Sequence, residues 1–141
     1  MPGLYYDNIH GNLALREQIA RLTLDSGCRL GPADLVITTG GTGLTGRDVT
    51  VEAHRDVYEK EIEAFATVFT IVSMKKIGTS AVQSRATGGV AGGTYLFALP
   101  GSPGACRDAW DEILVHQLDY RHSPCNLVEI MPRLDEHLRR K

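Results

Sequence analysis

One loop constrains this chain more than anything else in it: Thr38-Thr39-Gly40-Gly41-Thr42-Gly43-Leu44-Thr45-Gly46-Arg47-Asp48-Val49-Thr50, placed directly after the apolar run Leu35-Val36-Ile37. An apolar run, a cluster of glycines, a fixed charge pair and then helix-forming residues describe a strand that turns into a helix around a polar ligand. Glycine permits φ > 0 and close backbone approach, so successive N–H groups can converge on an anion. The helix that follows directs its positive dipole end to the same place. Arg47 adds a permanent forked cation, and Asp48 a carboxylate able to hold a metal ion. The alternative for Gly40, Gly41, Thr42 and Gly43 is a tight structural turn, and for Asp48 it is charge compensation at a helix start. Arg47 could instead pair with Glu52 across the first helical turn.

A second strand-to-helix junction lies downstream. Thr94-Tyr95-Leu96-Phe97-Ala98-Leu99 reads as a buried strand, and Pro100-Gly101-Ser102-Pro103 follows it. Ser102 as N-cap with Pro103 at the first helical position is the preferred order. The helix predicted from residue 103 to about 118 carries Trp110, Ile113, Leu114 and Leu118 on its apolar side. Strands 35–39 and 94–99, each feeding a glycine turn and a helix, predict an α/β fold of three layers with a mostly parallel sheet, the two strands side by side or nearly so, and parallel. Both motifs then sit at carboxyl ends of strands, where open α/β sheets bind ligands.

The motifs carry a resemblance. T-T-G-G-T-G-x-x-x-R-D-V-T followed by Glu52-Ala53 resembles the signature of the MoaB/Mog family of molybdopterin-binding proteins. Leu99-Pro100-Gly101-Ser102-Pro103-Gly104-Ala105 resembles that family's L-P-G-S/N-P-x-A element, and Gly78-Thr79-Ser80-Ala81-Val82-Gln83-Ser84-Arg85-Ala86 resembles a third segment ending in S-R. Ser123-Pro124-Cys125-Asn126 is similar to the tail of the MoaB branch. The resemblance runs in order from about Asp34 to Asn126.

It implies a role in molybdenum-cofactor biosynthesis. In active family members the phosphate of the dithiolene-bearing pterin attacks the α-phosphate of ATP, giving adenylylated molybdopterin and pyrophosphate. Molybdopterin is then substrate, ATP co-substrate and magnesium the cofactor. On that implication Gly40, Gly41, Thr42 and Gly43 orient phosphate, Asp48 serves catalysis and magnesium, and Arg47 offsets developing charge. Ser84, Arg85, Pro100, Gly101 and Ser102 hold the pterin. Asp7, after the short run Leu4-Tyr5-Tyr6, stands where the family often has a second acidic residue, with a turn-forming role as the alternative. The resemblance further implies a homotrimer or homohexamer, and other proteins of the same pathway as partners. Two other readings stay open: a molybdopterin-binding protein without turnover, and the related domain of competence-damage-type nucleotide-processing proteins.

Family members usually begin with an additional strand, a loop bearing a serine–aspartate element and a helix near an aspartate-x-serine-glycine element. None of these has a counterpart here, so the expectation is a single molybdopterin-binding-like domain over residues 1–141 that enters at the family's second strand and is N-terminally incomplete. A neighbouring subunit or a rearranged N-terminus could fill the gap.

Composition narrows the partners. At 141 residues, with 43% hydrophobic and 23% charged residues, one ordinary globular domain is expected. The formal net charge of −2 argues against nucleic acid. Cys28, Cys106 and Cys125 are scattered and odd in number, which points to reduced thiols in the cytoplasm. No run reaches the length of a membrane span, and no apolar leader follows a positive N-terminus. The five histidines show no i, i+4 pair, so a zinc site is not expected.

The remaining elements are less sharply marked. Asn12 is a candidate cap for a helix over 13–24 that Gly27 ends. Thr50 is expected to cap a helix running towards Tyr58. Residues 61–69 continue helically, with Ile62, Phe65, Ala66 and Phe69 on one face. Met74 to Ile77 reads as a short strand, 79–86 as a short helix, and 88–93 as a glycine-rich turn back into the sheet.

Overall fold

The structure, a computed structural model, describes residues 35–139. The expected strand at Leu4-Tyr5-Tyr6, the helix over 13–24, Asp7 and Cys28 lie outside the described residues.

Strand β1 (Leu35–Thr39) leads through the glycine loop into α1 (Thr50–Val57). A two-residue strand β2 (Lys60–Glu61) precedes the long helix α2 (Glu63–Ile77) and a 3-10 segment, Gly78–Gln83. Strands β3 (Thr87–Ala91) and β4 (Thr94–Leu99) form a hairpin, and α3 (Pro103–Ala109) follows. It continues without a break through a π-helical turn (Trp110–Leu114) into α4 (Val115–Gln117). Short helices α5 (Leu127–Ile130) and α6 (Glu136–Arg139) end the described chain.

The sheet order is β1-β4-β3-β2. β1 and β4 are parallel neighbours and finish level, Thr39 opposite Leu99, as the two strand-to-helix junctions predict. The other two ladders are antiparallel, so among the described residues the sheet is mixed rather than mostly parallel. The cause is local: 87–91 and 94–99 are joined by only two residues, Gly92 and Gly93, both at positive φ, and a two-residue link can only make a hairpin.

Alternation along β1 and β4 sends side chains to two covered faces. Leu35, Tyr95, Phe97 and Leu99 join Phe65 and Phe69 of α2 and Ala109, Ile113, Leu114 and Leu118 in one core. Val36, Thr38, Leu96 and Ala98 lie on the opposite face, where Thr38 meets His54 of α1. The expected three layers are therefore present. Two successive glycines in β3 let both layers close. A Cβ on Gly88 would stand 2.8 Å from the Phe97 ring, and one on Gly89 only 2.4 Å from the Tyr58 ring.

Four expectations are corrected. Met74–Ile77 is the last turn of α2, not a strand; the apolar residues of this helix are spread around its axis, so its C-terminal stretch shows no clear helical period in sequence. Glu61 belongs to β2, and the helix expected from there begins at Glu63, because Lys60 and Glu61 pair with Val90 and Gly89. Thr50 is the first residue of α1 rather than its cap: Val49 stands at the cap position, and the Thr50 N–H donates to the Gly41 carbonyl at 2.9 Å. The helical segment expected over 79–86 is the 3-10 stretch Gly78–Gln83, which leaves Ser84 and Arg85 extended ahead of β3.

Candidate functional site

Because β1 and β4 end level, their glycine loops lie side by side. The Gly40 N–H donates to the Leu99 carbonyl at 2.9 Å, carrying the ladder one residue past the strands. The Thr39 hydroxyl donates to the Pro100 carbonyl at 2.9 Å, and a Cβ on Gly101 would lie 3.3 Å from Gly40 Cα. Gly40 and Gly41 take φ of 93° and 71°, the left-handed region that a side chain would strain. Pro100, Gly101 and Ser102 are thus brought against Gly40 and Gly41, as the sequence implies. Ser102 does cap α3, its Oγ accepting from the Ala105 N–H at 3.3 Å.

The tip of the first loop is organised around Asp48. Its Oδ2 accepts from the Thr45 N–H at 3.1 Å and the Thr45 hydroxyl at 2.6 Å, while its own N–H donates to the Thr45 carbonyl at 3.0 Å. Gly43 makes room for it: a Cβ there would meet Oδ2 at 2.8 Å. Among the described residues no group of three or more His, Cys, Asp and Glu gathers to hold a metal. Arg47 is exposed and makes no ion pair there.

Arg85 takes the partner that sequence offered to Arg47. Its Nη1 donates to Glu52 at 2.7 Å. Its Nε donates to the Thr42 carbonyl at 2.8 Å and its Nη2 to the Gly43 carbonyl at 2.9 Å. The guanidinium fork therefore clamps the glycine loop to α1. The Glu52 hydrogen bond raises the Arg85 pKa, and Arg85 holds the Glu52 carboxyl below its ordinary value. Arg85→Lys keeps the charge but loses the planar fork. The expected result is a loop that exchanges its Thr42 and Gly43 amide protons faster, with ligand affinity falling about tenfold, read by hydrogen exchange and titration.

Sequence reasoning missed a buried polar chain under the loop. His54 is 3% exposed; its Nε2 lies 2.8 Å from the Thr38 hydroxyl and its Nδ1 3.2 Å from the Tyr58 hydroxyl. A helical His facing a strand Thr sixteen residues away leaves no signature in sequence. Burial lowers the His54 pKa to about 4 and raises that of Tyr58 to about 12. His54 is accordingly neutral at pH 7. A group depressed from 6.5 to about 4 gives its full stability above pH 6.5, loses it progressively as pH falls, and loses no more below about 4. The swing is about 3 kcal/mol. Denaturant midpoints between pH 7 and 4 should fall more steeply for wild type than for His54→Gln.

Ser84 and Ser102 line one cavity of about 340 Å³ with Ser73, Lys76 and Arg107. Two residues expected to hold the pterin thus share one space. Further away, Asn126 of the tail motif is structural: its side chain accepts from the Glu129 N–H at 2.9 Å, capping α5, and donates to the Tyr120 and His122 carbonyls. No helix among the described residues is long and apolar enough to cross a membrane.

The family described as "Probable molybdopterin binding domain" matches residues 13–120. The chain belongs to this family. Molybdenum cofactor biosynthesis protein B of Escherichia coli K12 is 51% identical over 92 residues, 65% of this chain and 54% of that protein. A protein of Methanocaldococcus jannaschii named "Probable molybdopterin adenylyltransferase" is 47% identical over 76 residues, 54% of this chain and 47% of that one. The chain spans about half the length of the curated relatives it matches. Among solved structures, a molybdenum cofactor biosynthesis protein B superposes with a TM-score of 0.58 at 35% identity, covering 89% of this chain and 70% of the other. The tungsten cofactor synthesizing protein MoaB of Pyrococcus furiosus gives 0.56 at 32%, covering 77% and 61%.

Proposed function

We propose that the chain binds molybdopterin and adenylylates it with ATP, in the cytoplasm, as a step of molybdenum-cofactor biosynthesis. The observation that carries this reading is the close approach of Gly40, at the start of the loop whose tip holds Asp48, to the Gly101 turn at the carboxyl ends of β1 and β4. An oxygen of the pterin phosphate attacks the α-phosphorus of ATP, a new P–O bond forms, the α–β bond breaks, and pyrophosphate leaves. Such chemistry needs positioning and charge neutralisation rather than a covalent residue. The loop amides hold phosphate oxygens, the exposed Arg47 neutralises charge on the leaving pyrophosphate, and Arg85 keeps the loop in register. Ser84, Arg85 and Gly101-Ser102 bound the pterin side.

Asp48 suits magnesium, which is commonly held by one or two carboxylates together with substrate phosphates and water. Oδ2 is occupied by Thr45, and Oδ1 is left for the ion. Bound there, magnesium would offset negative charge on the phosphates. Asp7 remains a candidate second carboxylate.

Single-turnover formation of adenylylated product from labelled ATP, run beside a molybdopterin titration, tests the reading. Binding without turnover in the wild type would select the non-catalytic alternative. Binding of nucleotide without pterin would favour the competence-damage-type domain. For assembly we propose a homotrimer or homohexamer, supported by the apolar residues that α2 exposes, Val68, Ile71, Met74 and Ile77. An active monomer in light scattering at micromolar concentration would overturn it.

A further inference from the structure

The cavity lined by Ser84 and Ser102 contains charges that the proposed reaction leaves unused. Lys76, from the end of α2, and Arg107, from α3, both line it. Among the described residues, Arg55, Arg85, Arg121, Arg133 and Arg139 are each held by a carboxylate. Arg47 and Arg107 are the two arginines there that are not, and Lys76 has no ion pair either, although Asp108 lines the same cavity. Segments 31 residues apart in sequence thus bring two positive charges to one cavity that holds a single carboxylate, Asp108, leaving it a surplus of positive charge. The hydroxyls of Ser73, Ser84 and Ser102 complete the lining. Ser73 is 4% exposed, and its hydroxyl makes no hydrogen bond among the described residues. No fully buried side-chain polar atom there lacks a partner, so that hydroxyl keeps its surface on the cavity.

We propose that Lys76 and Arg107, with the hydroxyls of Ser73, Ser84 and Ser102, form a subsite for a phosphate group, separate from the phosphate position over the glycine loop. The inference rests on the adenylyl-transfer reading, because that reading is what places phosphorylated substrates beside Ser84 and Ser102. The Arg107 fork binds two phosphate oxygens at once, Lys76 adds a point charge, and the serines donate single hydrogen bonds. The pterin's phosphate monoester and the polyphosphate arm of ATP share this chemistry, and the two sources separate by experiment.

Wild type, Arg107→Gln, Lys76→Gln and the double variant are titrated in parallel with molybdopterin and with ATP. Both side chains are exposed, so the variants should melt as wild type does, and Lys76→Arg should retain affinity. Each single variant is expected to weaken one of the two compounds about tenfold, and the double variant to weaken it further. Loss confined to molybdopterin assigns the subsite to the pterin phosphate; loss confined to ATP assigns it to the polyphosphate. Unchanged affinity for both compounds in the double variant, with the wild type binding both, overturns the subsite and leaves the proposed reaction standing. A wild type that binds neither overturns both.

Discussion

Asp48→Asn should lower single-turnover adenylyl transfer by about 10²–10³-fold while molybdopterin affinity stays within a few-fold of wild type. The amide oxygen of Asn can still accept from the Thr45 N–H and hydroxyl, the two bonds that fold the loop tip, so the loop should keep its shape. What disappears is the negative charge, and with it the hold on a divalent cation. A loss of this kind falls on the chemical step rather than on ground-state binding. Asp48→Ala makes a useful contrast, since it removes the Thr45 bonds as well and should also reduce binding. Unchanged turnover in Asp48→Asn would remove this carboxylate from the mechanism.

The largest effect on stability should come from Phe97→Ala. Phe97 is fully buried at the centre of β4, its ring centroid 4.9 Å from that of Phe65 and 6.3 Å from that of Tyr95. Truncation leaves a cavity that the rigid sheet and α2 cannot close, at a cost of about 3–5 kcal/mol. Thermal unfolding should shift down by on the order of 10 °C. The Gly88 position explains why no neighbour can compensate: the bare backbone of β3 lies directly against this ring and has no side chain to move inward. A shift of only a degree or two would show that the layer over β4 is looser than its packing indicates.

The parts legible in sequence were those where one residue's chemistry is consumed locally. A continuous apolar run followed by glycines fixed β1 and β4 to the residue, and Ser102-Pro103 fixed the start of α3. The adjacency of the two loops followed from the same pattern, because parallel neighbours that both end in glycine turns must end at the same edge. Where the signal was spread out, the reading failed. The apolar Ile71-Val72-Ser73-Met74 stretch of α2 has no polar face to betray its helical period, and Lys60-Glu61 is a strand only because β3 lies beside it. Arg85 and Glu52 are 33 residues apart, so their ion pair exists only in three dimensions. Arg107 had a faint signal, a basic residue one turn into a capped helix, but its meaning depends on Lys76 arriving from another element.

The edge formed by β2 also governs how molecules of this chain can meet. It is two residues long and carries the exposed Lys60, and at its outer margin the Arg55 guanidinium is already tied to Glu61. A strand that short offers an incoming chain almost no free backbone donors and acceptors, and a lysine on it disfavours an extended apolar partner. Growth of the sheet from one molecule into the next is therefore blocked at this edge, and with it one common route to fibrous aggregation.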